Sequence, residues 1–138
     1  VVPIRSLGAT YRDRIAAHLL ALPPADRYLR FGYAANDDQI RRYVAQLDFA
    51  RDEIFGVYNR RLELVAMAHL AFSVDPQWST CAEFGVSVAA NQRGRGLGAR
   101  LFDRTTRSIT LTDAGRRLQP GGGQQDAREQ GGQEYLRA

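Results

Sequence analysis

The most constraining feature of this sequence is a stretch from Glu83 to Thr105 that predicts a strand, a loop and a helix in succession. Phe84, Val86 and Val88 alternate with small residues, which is the period of two expected of a strand. A loop with three glycines and two arginines in six residues follows, and then a pattern of apolar residues at helical spacing. The rest of the chain must therefore supply a sheet for the strand and a core for the helix.

The loop at 93–98 has the composition of an anion-binding turn. Its glycines allow backbone conformations closed to other residues and let a ligand approach the main chain. A helix that begins near Leu97 directs unpaired N–H groups and the positive end of its dipole at the loop. Arg93 and Arg95 can add bidentate bonds to phosphate oxygens. The sequence therefore predicts a phosphate or pyrophosphate site, and hence a nucleotide-type ligand.

Two common nucleotide-binding motifs do not fit this loop. A dinucleotide-binding fold has G-x-G-x-x-G after its first strand and an acidic residue about 20 positions later. Here the order is G-x-G-x-G, and the strand comes late in the chain. A P-loop needs a lysine, and this sequence contains none.

The strand, loop and helix resemble the cofactor-binding segment of the GNAT acyltransferase superfamily. Residues 93–98 are similar to its (Q/R)-x-x-G-x-(G/A) signature, which grips the pyrophosphate of acetyl-CoA, and residues 82–88 resemble its fourth strand. The resemblance implies that the main chain at Val86 faces the acetyl group and that at Val88 pairs with the pantetheine amides. It further implies these cofactor-binding residues in the loop and the helix start: Arg93, Gly94, Arg95, Gly96, Leu97, Gly98 and Ala99.

The resemblance covers residues 1–108 and implies an α+β fold, with a mixed, mostly antiparallel sheet flanked by helices. The predicted order is β-α-α-β-β-β-α, with a parallel strand pair where the cofactor enters. The elements are a strand at 1–5, a helix after a capping box at Thr10, a helical turn at 24–31, a helix after Asn36, and a hairpin of strands at 53–58 and 62–72.

Residues 109–138 do not continue this pattern. Apart from a four-residue strand at 109–112, the segment is rich in Gly, Gln and Arg and poor in apolar residues, which is typical of disorder. A complete GNAT domain would add a strand, a helix with a general-acid tyrosine, and two further strands, and none of these can be assigned. We therefore predict an incomplete GNAT-like domain over 1–108, followed by a tail that is disordered or out of frame.

Glu83, at the start of the strand before the loop, is the candidate general base for deprotonating an amine. The alternative is a solvated glutamate at a strand end. The resemblance implies direct attack of an amine on the thioester, with the N–H of Val86 as an oxyanion-type donor. The acceptor is a small-molecule or peptide amine. Two function classes stay open: an acetyl-CoA-dependent N-acetyltransferase, and a catalytically defective CoA-binding remnant of one.

The other chemistry-bearing side chains receive structural interpretations. His18 is expected at the surface or boundary of a helix, and His69 is expected to be a satisfied structural histidine rather than a base. Three aromatic residues are expected in the core rather than along an acceptor pocket: Tyr28, Phe31 and Tyr33.

Composition excludes several other classes. The net charge is +4, but the arginines are scattered and alternate with acids, which argues against a nucleic-acid surface. No apolar run approaches the length of about 20 residues that spans a membrane. The single cysteine, Cys81, excludes an internal disulfide and a cysteine metal cluster, so no metal site and a cytoplasmic protein are expected. An incomplete sheet would leave an exposed edge, which favours a homodimer.

Overall fold

The structure, a computed structural model, describes residues 3–72, 81–112, 119–120 and 132–137. The strands are β1 (Ile4–Ser6), β2 (Glu53–Tyr58), β3 (Leu64–Phe72), β4 (Cys81–Val88), β5 (Gln119–Pro120) and β6 (Gly132–Arg137). The helices are α1 (Arg12–Leu20), α2 (Pro24–Phe31), α3 (Asp37–Ala45) and α4 (Leu97–Thr112), with short 3-10 turns at Ala9–Tyr11 and Ala90–Gln92. Within these ranges no helix has the length and apolarity needed to cross a bilayer.

The strands form one sheet in the order β1-β2-β3-β4-β6-β5, and every pair in it is antiparallel. The predicted α+β class and the predicted β2–β3 hairpin are confirmed. The second strand of the hairpin begins at Leu64 rather than at Leu62. Leu62 has a positive φ of 63° and its N–H donates to the carbonyl oxygen of Asn59, so it belongs to the turn.

Helices cover both faces of the sheet. The alternating Phe84, Val86 and Val88 of β4 pack with Leu97 and Leu101 of α4 in one core cluster. The opposite face packs against the first three helices in a second cluster that includes Ile15, Leu19, Ile40, Val44 and Met67. Because strand side chains alternate between faces, the residues between the β4 apolar ones, Glu83, Gly85 and Ser87, lie on the α1–α3 side.

The parallel strand pair predicted at the cofactor entrance is wrong. Strand β6 lies beside β4 and runs antiparallel to it, from Val86↔Gly132 to Cys81↔Arg137. The short β5 lies beyond β6 and is antiparallel to it in turn. In chain order β5 comes before β6, but in the sheet β6 lies between β4 and β5. The neighbour of β4 is therefore the later strand, and it runs opposite to β4 instead of parallel to it. The other residues of the segment for which disorder is predicted, 113–118, 121–131 and 138, lie outside the described residues, and disorder there stays a prediction.

The strand predicted at 109–112 is also wrong, because α4 continues to Thr112. The β-branched residues there favour a strand only weakly, and continuing an established helix adds one hydrogen bond per residue. Earlier in the same helix the hydroxyls of Thr105 and Thr106 donate to the carbonyl oxygens four residues before them, so β-branched residues are already accommodated in α4.

The helix starts show which capping signals operate. Asn36 and Gln39 form a reciprocal capping box at the start of α3, as the N-terminal signal at Asn36 predicts. The box predicted at Thr10 is wrong: α1 begins at Arg12 without a side-chain cap, because residues 9–11 are taken up by a 3-10 turn. The predicted helical turn at 24–31 is a full helix, which Gly32 ends with a φ of 81°.

Candidate functional site

The glycine-rich loop joins the end of β4 to the start of α4 with the geometry of an anion cradle. Gly94 and Gly96 have φ of 81° and 74°, in the left-handed region that glycine adopts without strain. The N–H of Arg100 donates to the carbonyl oxygen of Gly96 at 3.1 Å, which is the first turn of the helix. The N–H groups of the three residues before Arg100 precede this helical ladder and are directed at the loop. The predicted helix start at Leu97 is confirmed.

Both arginines of the loop have protein partners. Arg93 donates to the carboxylate of Asp26 on α2, and Arg95 donates to the side-chain oxygen of Gln92 at 2.6 Å. The Asp26 side chain is buried, whereas Arg93 remains one-third exposed. Because a guanidinium carries five N–H donors, Arg93 keeps donors for a ligand while Asp26 fixes its position. The loop is thereby anchored to α2 as well as to α4.

Glu83 lies half-buried near the start of β4, on the face that the first three helices cover. Its backbone pairs with Ala71 of β3 on one side and with Tyr135 of β6 on the other. Its negative charge acts to raise the pKa of both Tyr43 and His69, so the structure brings it close to these two side chains.

Four side chains, three from α2, α3 and β3 and one from the segment before β2, form a hydrogen-bonded row beneath β4. The Asp52 carboxylate lies 2.8 Å from Nε2 of His69, and Nδ1 of His69 lies 2.5 Å from the hydroxyl of Tyr43. The Nη2 of Arg30 donates to the same hydroxyl at 2.7 Å. Asp52 precedes β2, and the other three lie in β3, α3 and α2, respectively. We call these four residues the relay.

The environment of the relay fixes its protonation state. Burial acts to raise the pKa of Asp52, but hydrogen bonds from His69, Arg51 and a backbone N–H outweigh it and lower the pKa to about 2. Burial lowers the pKa of His69, although its bond to Asp52 acts in the opposite direction. Burial also raises the pKa of Tyr43. Near pH 7 the carboxylate is therefore charged, while the imidazole and the phenol are neutral.

Arg30 packs directly against the backbone of β4. It is 3% exposed, and a Cβ placed on Gly85 would lie 2.3 Å from its Cζ, so only glycine leaves room for the guanidinium. Its Cζ lies 4.9 Å from the ring centre of Phe31 and 5.3 Å from that of Tyr43. Its Nε is buried and has no hydrogen-bond partner among the described residues. The positive charge is thus held at the middle of β4 mainly by aromatic faces and the Tyr43 hydroxyl.

The two histidines are both buried but have different partners. The surface or boundary position predicted for His18 is wrong, because it lies on the core face of α1. Its Nδ1 lies 3.0 Å from the carbonyl oxygen of Leu64, and its Nε2 lies 2.8 Å from the Ser87 hydroxyl. Burial lowers the pKa of His18 to about 4. His69 is hydrogen-bonded at both ring nitrogens, as predicted, although its carboxylate and phenol partners were not foreseen. These contacts do not test whether His69 also acts as a base.

Aromatic residues around α2 divide between core and surface. Phe31 is buried as predicted, with its ring edge-on to Tyr43. Tyr28 and Tyr33 are 59% and 46% exposed, so the core position predicted for them is wrong. Tyr28 lies within α2, and Tyr33 follows Gly32, which ends this helix. Trp78, for which the sequence predicts a lid on the core, lies outside the described residues.

Sequence reasoning missed three members of the relay. The sequence indicates Tyr43 only as one of the apolar residues at helical spacing after Asn36, and it gives no sign of a role for Asp52 or Arg30. A carboxylate just before a strand is common, and nothing in the sequence says that it will meet an imidazole 17 positions later. The one available signal was an arginine at the end of a helix beside apolar anchors, which also fits a solvent-facing residue.

A cavity of about 470 Å³ opens on the same side of the sheet, between α1, the β2–β3 turn and the segment that follows β4. His18 and Leu64 lie at its wall, and Asn91 and Gln92 at its rim lead into the glycine-rich loop.

Comparison with known proteins identifies the fold. No protein-family model and no curated protein sequence matches the chain. The GNAT domain of PAT from S. lividans matches 98% of this chain with 89% of its own, at 13% identity and a TM-score of 0.57. An N-acetyltransferase from Staphylococcus aureus Mu50 matches 82% of this chain with 68% of its own, at 15% identity and a TM-score of 0.58. The ribosomal-protein-S5-alanine acetyltransferase from Vibrio fischeri matches 77% with 62%, at 12% identity and a TM-score of 0.56.

Proposed function

We propose that this chain, which has the GNAT fold, transfers an acetyl group from acetyl-CoA to a small-molecule or peptide amine. The observation that carries the proposal is the cradle at 94–98: two left-handed glycines between β4 and the N-terminus of α4. Apart from its two chain neighbours, no described residue has an atom within 4 Å of a Cβ built on Gly94, so the loop offers space as well as backbone donors to a phosphate group. Two of the solved structures with a similar fold are an N-acetyltransferase and a ribosomal-protein-S5-alanine acetyltransferase.

The residues present fit the diphosphate of acetyl-CoA. The backbone of 94–99 and the guanidiniums of Arg93 and Arg95 would hold it, and Asp26 would fix Arg93 in place. The main chain at Val88 would pair with the pantetheine amides, and the N–H of Val86 would donate to the acetyl carbonyl. When bound, acetyl-CoA supplies an activated thioester. Glu83 would take a proton from the acceptor ammonium and release a nucleophilic amine.

A charge-only contrast at Gly94 tests the cradle. Gly94→Asp places a negative charge in the loop, whereas Gly94→Asn has the same shape and tolerates a positive φ equally well. We expect Gly94→Asp to weaken CoA binding about tenfold or more relative to Gly94→Asn, because it opposes the diphosphate charge. Isothermal calorimetry with CoA measures the affinities, and the melting temperatures of the two variants serve as the control for folding. Equal CoA affinities in the two variants would remove the loop from the binding site.

The second candidate function is CoA binding without transfer. Strand β6 pairs with β4 as far as Val86, on the edge where a bound cofactor would use backbone N–H groups. With this pairing, β6 would cover the backbone of β4 that a bound acetyl group would need, while the phosphate cradle stays in place. The chain could then bind CoA without transferring an acetyl group. CoA binding by calorimetry, together with no thiol release from acetyl-CoA across a panel of amines, would favour this function over transfer.

A further inference from the structure

We propose that Tyr43 is a second catalytic residue: its hydroxyl receives a proton from the attacking amine while its own proton passes to His69, and the same path returns a proton to the leaving sulfur. The other two residues of the relay, Asp52 and Arg30, position His69 and Tyr43, respectively. The inference rests on the proposed acetyl transfer and extends it, because it assigns the step that Glu83 alone leaves unfilled.

The hydrogen bonds of the relay all run in one direction. A guanidinium only donates, so Arg30 donates to the Tyr43 oxygen. An ionised carboxylate only accepts, so Nε2 of the imidazole donates to Asp52. The neutral imidazole then has Nδ1 as an acceptor, and the Tyr43 hydroxyl donates to it. This is the order of groups in a nucleophile–histidine–carboxylate triad, in which the imidazole takes a proton from the hydroxyl and the carboxylate stabilises the imidazolium.

The relay lies against the part of β4 to which the proposed function assigns the acetyl group and the base. Arg30 connects the Tyr43 hydroxyl to Gly85, next to Val86 and two residues from Glu83. The guanidinium charge at 2.7 Å from the phenol oxygen favours negative charge on that oxygen during proton transfer. Because Arg30 is buried, water screens this charge little.

Two protons leave the acceptor nitrogen when an ammonium becomes an amide, and the relay accounts for the second. Glu83 takes the first and passes it to solvent. The amine lone pair forms the C–N bond, and the electron pair of the C–S bond goes to sulfur. As the C–N bond forms, the nitrogen gives its second proton to the Tyr43 oxygen, and the tyrosine proton moves to His69. The proton then returns from His69 through Tyr43 to the sulfur, which leaves as the thiol.

The relay accepts a proton only while the imidazole is neutral. The charged and titratable groups facing His69 come from four directions: Asp52 before β2, Tyr43 of α3, Arg30 of α2 and Glu83 of β4. Burial and the Arg30 charge lower the pKa of His69 below its ordinary 6.5, and they outweigh Asp52 and Glu83, which act to raise it. We therefore expect kcat to fall on an acidic limb below pH 6.5, as the imidazole of His69 becomes protonated.

The test compares Tyr43→Phe and His69→Gln with His18→Gln, which removes the other buried histidine, whose hydrogen bonds go to Leu64 and Ser87. Acetyl transfer is followed by thiol release across pH 5 to 9, and CoA affinity by calorimetry. We expect Tyr43→Phe to lower kcat about 100- to 1,000-fold with CoA affinity unchanged within about twofold. His69→Gln should lower kcat similarly and remove the acidic limb, whereas His18→Gln should retain both the rate and the limb.

A normal kcat and pH profile in Tyr43→Phe, with an active wild-type chain, would overturn the relay and leave the proposed function standing. A wild-type chain without transfer activity would overturn both. Should Tyr43→Phe fail to fold, nitrogen NMR of the wild-type imidazoles decides instead. His69 should carry its proton on Nε2 and His18 on Nδ1, since the latter donates to a carbonyl oxygen. A proton on Nδ1 of neutral His69 would leave no acceptor for Tyr43 and would overturn the relay.

Discussion

At the scale of single residues, Gly85 and Arg30 pack closely against each other. The guanidinium occupies the space that a side chain on β4 would fill, and it lies there with 3% exposure. A glycine in the middle of a strand weakens the strand, so such a residue marks a close approach by another group. Here that group is the positive charge that reaches the Tyr43 hydroxyl.

Gly85→Ala should therefore destabilise the chain by about 1–3 kcal/mol, because the added methyl group displaces a buried guanidinium from a closely packed position. Urea denaturation followed by circular dichroism measures the change. Gly8→Ala is the matched control: nothing lies within 4 Å of its added Cβ, its φ is −112°, and its cost should stay within about 0.5 kcal/mol. Equal effects of the two substitutions would show that Arg30 does not occupy this space.

Among single residues, those whose role depends on their chain neighbours could be predicted from the sequence, and those whose role depends on distant residues could not. The need for glycine at 94 and 96 could be predicted, because a turn into a helix N-terminus has local causes. The need for glycine at 85 could not, because its neighbour lies 55 positions earlier in the chain. The burial of His18 depends in the same way on Ser87 and Leu64, which only the fold brings to it.

At the scale of elements, the anion loop is held between two helices. It leads directly into α4, and Arg93 links it to the buried carboxylate of Asp26 on α2. Such a pair is costly to break from one side, because the remaining charge stays buried without a partner. The two loop arginines thus differ. Arg93 links the loop to α2 through Asp26, whereas the described hydrogen bond of Arg95 goes to Gln92, three residues before it.

Arg93→Gln should lower the free energy of unfolding by about 1–3 kcal/mol, since Asp26 then keeps its charge in a buried position without a cation. The partial exposure of Arg93 places this below the cost of breaking a fully buried pair. Arg95→Gln, in the same loop, should change stability by less than about 0.5 kcal/mol. Chemical denaturation of both variants at equal ionic strength gives the comparison. If Arg95→Gln proves as damaging as Arg93→Gln, the Asp26 contact does not anchor the loop.

Elements were predictable where their causes are local. The alternation in β4, the start of α4 and the N-terminal signal at Asn36 all depend on neighbours within one or two turns. The end of α4 and the partner of β4 were not predictable in this way. Both depend on what the chain does after Thr112, where composition gives no apolar period to follow. Antiparallel β6 beside β4 is a choice of topology, and local propensity does not encode topology.

At the scale of the whole molecule, the burial of neutral and charged groups under one sheet face makes stability depend on pH. His18 has a folded pKa of about 4 against an ordinary value of 6.5, because burial penalises its charged form. Above pH 6.5 neither state binds this proton, so His18 adds no pH dependence there. Below it the unfolded chain binds the proton first, and stability falls until the folded pKa is reached. Asp52 extends the loss: its folded pKa of about 2 lies below the ordinary 3.8, so the stability that it contributes above 3.8 disappears as the pH falls toward 2.

The free energy of unfolding should therefore fall by about 3 kcal/mol between pH 6.5 and 4 through His18, and by about 2 kcal/mol more between pH 3.8 and 2 through Asp52. The lowered pKa of His69 adds to the first loss. Urea denaturation at half-unit pH steps measures both. His18→Gln should flatten the upper range by about 1.4 kcal/mol per pH unit and leave the lower range unchanged, whereas Asp52→Asn should act on the lower range. The same slope in the wild type and in His18→Gln between pH 6.5 and 4 would mean that His18 is not buried in its neutral form, and the bonds to Leu64 and Ser87 would then not hold α1 against the sheet.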